Sequence, residues 1–280
     1  MAGRSPSSRD MLAQHDGSPV IGVFDSGLGG LSVLREIVAR RPDLSAIYVA
    51  DSGHCPYGVK SADQIIERAT VITDFLLAQG AQLIVVACNT ATIAAVEYLR
   101  ANYSVPFVGM EPAVKPAVAR TRSGVIGVLA TGAALAGNKL LTLIDRHRGS
   151  VRVITQPCPG LVEQVEAGDL DGPITVALLR EYALPLLAAG ADTLVLGCTH
   201  YPFLREALAQ IVGPDVVLLD TGEAVARRVD SLLPAVDSAA AAGALRWYSS
   251  GELQQMNRVG SCLWGGAINA DALTEDDGAR

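Results

Sequence analysis

Runs of consecutive apolar, often β-branched residues recur at 20–24, 46–49, 83–87, 125–129, 151–155, 193–197 and 216–219. None alternates with polar positions, so each predicts a strand covered on both faces, as in a parallel sheet sandwiched by helices. Between them lie longer amphipathic stretches, 31–40, 61–79, 90–102, 138–146, 160–166, 173–189 and 202–212, which predict helices. Strand and helix in turn give the α/β class with parallel-type sheets.

The pattern also repeats itself. Ile21-Gly22-Val23-Phe24-Asp25-Ser26-Gly27 is matched 105 residues later by Ile126-Gly127-Val128-Leu129-Ala130-Thr131-Gly132. Ala81 to Asn89 is matched 110 residues later by Ala191 to Thr199, with a Cys closing the same strand in both copies. Two segments recurring in one order at nearly one offset predict two similar, pseudo-symmetric three-layer α/β domains. Glu111-Pro112 and Lys115-Pro116 break the pattern and place the seam near 115–125, with a first domain from 19–116 and a second over 117–221. Residues 1–18 and 271–280 read as disordered tails.

Composition narrows the function. Of 280 residues, 50% are hydrophobic and 18% charged, enough to bury a sizeable core and too few charges for a disordered chain. The net charge of −7 comes with no long basic run, so neither nucleic acid nor an anionic membrane is an expected partner. Residues 1–18 lack the apolar segment of a signal peptide, and no apolar run reaches the ~18 residues of a membrane span; a cytoplasmic location is expected. The lysines are Lys60, Lys115 and Lys139. None completes a phosphate-binding P-loop, and they leave few candidates for a Schiff base. Five cysteines, at 55, 88, 158, 198 and 262, form no C-x-x-C. That excludes a disulfide framework and makes a Cys-rich zinc site improbable, in keeping with free thiols in a reducing compartment.

Cys88 and Cys198 end equivalent strands, and the chain then enters a helix: Cys88-Asn89-Thr90 in one copy, Cys198-Thr199-His200 in the other. In open α/β sheets ligands bind at the carboxyl ends of strands. A thiol at a helix N-terminus is expected to have a lowered pKa, and the neighbouring N–H groups can hold a carboxylate. Two facing domains would set the thiols on opposite sides of one cleft. Inversion of a stereocentre by proton transfer needs that arrangement: a base takes the α-hydrogen from one face, an acid returns a proton to the other, and the two enantiomers exchange the roles. Cys55, Cys158 and Cys262 read as bystanders. Asp25-Ser26-Gly27-Leu28-Gly29-Gly30 follows a strand, but a dinucleotide fingerprint would need Gly where Ser32 stands. Asp25 would also repel a pyrophosphate; an acid there suits an ammonium group or the tuning of a thiol.

These stretches, together with Ala50-Asp51, Pro56-Tyr57-Gly58 and Gly197-Cys198-Thr199-His200-Tyr201-Pro202, resemble the bacterial glutamate racemases of the cofactor-independent aspartate/glutamate racemase family. The resemblance spans roughly residues 20–230. It implies interconversion of L- and D-glutamate to supply peptidoglycan synthesis, with no cofactor, no metal and a homodimeric assembly. Carried over residue by residue, Cys88 and Cys198 are the two bases. Asp25 and His200 assist their ionisation, and Glu166, preferred to Glu163, pairs with His200. Ser26, Tyr57, Gly58, Asn89, Thr90, Thr131 and Thr199 hold the substrate, with Asp25 and His200 beside it. The segment 222–270 is expected to return to the first domain. Cys55 is an added thiol, and Ala134 stands where the family has a second Thr, which puts one substrate contact in question. The alternatives are an aspartate racemase or related two-thiol isomerase, and a non-catalytic ligand-binding protein on the same fold.

Overall fold

The computed structural model describes residues 19–136, 138–234 and 242–274. The first strand, β1 (Val20–Asp25), is buried along its whole length. It is followed by α1 (Leu31–Arg40), β2 (Ser45–Ala50), α2 (Ala62–Ala78), β3 (Leu83–Val86), α3 (Asn89–Asn102), the two-residue β4 (Phe107–Val108) and α4 (Val114–Arg120). The chain continues through β5 (Val125–Ala130), α5 (Gly132–Ala136), α6 (Asn138–His147), β6 (Arg152–Pro157), α7 (Leu161–Ala167), α8 (Pro173–Ala188), β7 (Thr193–Leu196), α9 (Arg205–Val212), β8 (Val217–Leu219) and α10 (Gly222–Leu232). It closes with β9 (Leu245–Ser249), a helical segment over 253–264 and β10 (Asp271–Ala272).

Among the described residues two sheets form, ordered β10-β9-β2-β1-β3-β4 and β6-β5-β7-β8. Every pairing is parallel, as expected from strands without polar alternation. The four-strand order β2-β1-β3-β4 of the first sheet is the order β6-β5-β7-β8 of the second. The repeat extends to packing. A Cβ on Gly22 would stand 2.8 Å from the Leu76 side chain of α2, and one on Gly127 would stand 2.7 Å from Leu186 of α8. The repeated glycine lets a helix lie close on the central strand in both halves.

The C-terminal segment joins the first sheet. β9 pairs with β2, Ala46 opposite Leu245, and Trp247 packs on Tyr48 and Trp264 with ring centroids 6.1 and 5.1 Å away. α10 packs along α1. Asp271 and Ala272, expected in a tail, instead pair with Tyr248 and Ser249. Residues 275–280 and the tail expected over 1–18 lie outside the described residues. The seam expected after residue 116 falls inside α4, whose Val114 and Ala117 pack in the core of the second sheet. Pro116 does not break this helix, because it stands in the first turn, where no N–H is needed. Among the described residues no helix is long and apolar enough to cross a membrane.

Candidate active site

A cavity of about 220 Å³ opens between the two units, walled by residues at the carboxyl ends of both sheets. That is small beside the ~300–1,000 Å³ of pockets for drug-sized ligands, and suits a small metabolite. From the first unit come Ser26 after β1, Tyr57 and Gly58 after β2, and Cys88, Asn89 and Thr90 where β3 gives way to α3. From the second come Thr131 after β5 and Cys198, Thr199 and His200 after β7. Both thiols are buried, 5% exposed for Cys88 and 8% for Cys198.

The two thiols sit in different surroundings. Cys88 caps α3, and its sulfur accepts the Ala91 N–H at 3.4 Å, with the Ser26 hydroxyl 3.8 Å away. Burial pushes the Cys88 thiol well up, and the Asp25 carboxylate adds to the rise; the Ala91 N–H and the Ser26 hydroxyl oppose it only in part. The lowered pKa expected from its helix terminus is therefore reversed, because desolvation outweighs a single N–H and the dipole. Cys198 does not cap an α-helix: a 3₁₀ turn, Tyr201–Leu204, precedes α9. Its partner is His200, whose Nδ1 lies 3.6 Å from the sulfur. His200 Nε2 in turn lies 2.6 Å from Glu166 Oε1. Burial alone would depress the His200 imidazolium, but hydrogen bonds to Cys198 and Glu166 and the negative charges beside it raise it well above the ordinary value.

Glu166 rather than Glu163 pairs with His200, and it also ties the units together. Its Oε1 accepts the Leu28 N–H of the first unit at 2.7 Å. The Gly-rich loop exists for this approach. A Cβ on Gly27 would stand 2.1 Å from Glu166 Oε1, and one on Gly29 would stand 2.4 Å from His200 Nδ1. The glycines admit the second unit's side chains, not a pyrophosphate.

Neither Asp25 nor Glu166 lines the cavity. Asp25 is fully buried, and its carboxylate accepts the N–H groups of Ser26 at 2.8 Å and Gly30 at 2.7 Å, with the Thr199 hydroxyl at 3.5 Å. It presents no exposed surface to the cavity. Its own pKa is raised, by burial first, against the His200 charge and the two N–H groups. The Tyr57 hydroxyl donates to Asp51 at 2.5 Å, so Tyr57 supplies wall and not a free donor. Asp51 also binds Arg68 and His54 and so holds the 51–58 loop. Asn89 is buried with both amide atoms lacking a partner among the described residues, an unusual state for a buried polar group and one a ligand would relieve.

Several lining residues were set aside or passed over in the sequence. Cys158 borders the cavity, its thiol pushed up to about 12 by burial. Val59, Pro159, Gly160 and Glu163 border it as well. The first two are apolar and Gly160 has no side chain, so they carry no chemical signal. Cys158 did stand at a strand end, β6, as the two key thiols do. Ala134, where a Thr was expected, is buried in the second sheet's core, and Ala133 faces the cavity instead. The missing hydroxyl therefore does not open a gap in the lining.

A paired thiol site between duplicated α/β units has known relatives. The profile of the family described as Asp/Glu/Hydantoin racemase matches residues 20–229. The chain belongs to this family. As a member it is a racemase, an isomerase that inverts a stereocentre. The glutamate racemase of Ectopseudomonas mendocina is 58% identical over 248 residues, covering 88% of this chain and 94% of that protein. That of Herpetosiphon aurantiacus is 52% identical, covering 87% and 97%. Among solved structures, Escherichia coli glutamate racemase in complex with L-glutamate and the activator UDP-MurNAc-Ala superposes with a TM-score of 0.82 at 34% identity, covering 92% of this chain and 98% of that one. The aspartate racemase of Picrophilus torridus, at 15% identity and a TM-score of 0.52, shares the fold alone.

Proposed function

We propose that this family member interconverts L- and D-glutamate by moving the α-proton between Cys88 and Cys198. The observation that carries this reading is that both thiols, from equivalent strand ends of the two units, line one small cavity. The glutamate racemases it resembles at 52–58% identity supply the substrate, as does the D-glutamate complex of the Francisella tularensis enzyme, with a TM-score of 0.78 at 28% identity.

In one direction a thiolate takes the α-hydrogen, the electron pair stays on the α-carbon and spreads into the carboxylate, and the other thiol gives its proton to the opposite face. The reverse direction exchanges the roles. Among the described residues no Lys or Arg lines the cavity, so the carboxylates rely on neutral donors. Asn89, Thr90 and Ser26 serve on the Cys88 side, with Thr131 and Thr199 on the other. Such donors, fixed in a site that excludes water, stabilise a carbanion more than they would in water. His200, held by Glu166, supplies and accepts the proton of Cys198; Asp25 and Ser26 fix the loop under Cys88. The reading includes a homodimer, a cytoplasmic location and a role in making D-glutamate for peptidoglycan, as the resemblance implies.

Racemisation in D2O tests it. Purified protein without added cofactor should convert either enantiomer, with deuterium entering the α-position of the product enantiomer first. Activity that appears only after pyridoxal phosphate is added sinks the proposal.

A further inference from the structure

Cys55 was set aside as a loop thiol, yet the fold brings it to the back of the site. It follows the 3₁₀ turn Ser52–His54 of the first unit and is half-buried. One ligand atom each from Cys55, Glu166 and His200 lie within 4.8 Å of one another. Gly27 leaves the space between them free of side chain: a Cβ there would lie 2.1 Å from Glu166 Oε1 and 3.1 Å from Cys55 Sγ. We propose that Cys55, Glu166 and His200 form an inhibitory zinc site that joins the two units.

The donor set is a thiolate, an imidazole and a carboxylate, the three kinds of ligand Zn²⁺ takes. Bond lengths of ~2.3 Å to sulfur and ~2.0–2.2 Å to nitrogen and oxygen put tetrahedral ligand atoms about 3.3–3.7 Å apart. The His200–Glu166 pair, now at 2.6 Å, must open by about 1 Å and the thiol must close by a similar amount. A water completes the shell, as in three-ligand zinc sites. On binding, the Cys55 thiol and His200 Nε2 each release a proton to solvent. The ion then stands where the Glu166 hydrogen bond was, so His200 can no longer take up and return the proton of Cys198. Cys55 comes from the first unit and the other two from the second, so the ion also fixes the two halves to each other. Ligands at 55, 166 and 200 have no spacing that sequence reading could recognise.

The inhibition arm rests on the racemase reading, whereas a binding arm does not. Added ZnCl₂ should inhibit racemisation reversibly, with activity restored by EDTA. Cys55→Ser should keep its basal activity and require at least about ten-fold more Zn²⁺ for half-inhibition. Co²⁺, titrated as a spectroscopic stand-in, should give a thiolate-to-cobalt absorption band in the unaltered protein and in a Cys88→Ser/Cys198→Ser double variant, but not in Cys55→Ser. A band lost in the double variant and kept in Cys55→Ser would place the metal between the two cleft thiols and overturn the proposal. Equal Zn²⁺ sensitivity of Cys55→Ser and the unaltered protein would overturn it too.

Discussion

The two halves of this molecule share a topology and place a thiol at the same strand end, but they support it by different chemistry. On the first side Cys88 caps a helix and is held by an N–H, a hydroxyl and a buried carboxylate that works against its ionisation. On the second, Cys198 faces an imidazole whose charge is secured by Glu166. The duplicated scaffold supplies the geometry of a two-sided reaction, while the connections around it set how each side holds its proton. Because the equilibrium constant between enantiomers is one, kcat/KM must stay equal in both directions whatever is changed. The asymmetry of the two sides has to be sought in pH dependence and stability.

The largest effect tests what the sides have in common. Cys88→Ser and Cys198→Ser should each lower kcat/KM by ~10²–10⁴-fold, the usual worth of a general acid or base, measured by loss of optical rotation from either enantiomer. A side whose Ser variant keeps near-full activity would not belong to a two-thiol mechanism.

Next is the contact that makes the second side depend on the first. Gly27→Ala would set a methyl 2.1 Å from Glu166 Oε1, driving it from both Leu28 N–H and His200. Overpacking of this kind costs about 1–3 kcal/mol, to be read from urea unfolding, and activity should fall with it. Unchanged stability would mean that the interface between the units is looser than the Leu28–Glu166 bond implies.

A smaller effect separates the protonation chemistry of the sides. His200 is raised because its bonds to Cys198 and Glu166 outweigh burial. Its charged form thus persists above the ordinary histidine range, and any contribution from it is lost as pH rises through that raised value. Glu166→Gln removes one of the supports, so the alkaline limb of the rate profile should move to lower pH. If that limb instead reports the Cys88 side, it will stay in place.

How much of this could be read in advance follows the same division. Apolar runs carry their own signal, so the buried strands β1, β2, β3, β5 and β7 were visible, and the paired cysteines showed as a repeat. The edge strands β6 and β8 were visible too, but they are only partly covered and not buried on both faces as their runs suggested. β4 and β10 have two residues each, too few for any period, and β9 puts Arg246 among its aromatics. Asp25 was expected beside the substrate, but its withdrawal from the cavity lining was not foreseen. Its acceptors are taken by N–H groups of its own loop, which only the folded backbone displays. The direction of the Cys88 shift was missed for a related reason: a helix terminus is visible in sequence, and desolvation is a property of the finished core. Cys55 lay beyond reading because the two side chains it meets at the back of the site, Glu166 and His200, stand more than a hundred residues away in the chain.

The smallest prediction isolates duplication from use. Gly132 is the repeat partner of Gly27, 105 residues on, and if glycine were kept at both places by the backbone alone, Ala should be costly at both. The surroundings say otherwise. Among the described residues, nothing beyond its chain neighbours and its own helix backbone lies within 4 Å of a Cβ on Gly132, and its φ lies outside the left-handed region, so neither contact nor strain opposes a methyl there. As the first residue of α5, it stands where Ala is a better helix former than Gly. Gly132→Ala should therefore change stability by no more than about 0.5 kcal/mol, against the larger loss for Gly27→Ala in the same urea titration. Equal losses would show that the shared turn, and not the packing of one unit's loop on the other's Glu166, is what the glycines serve.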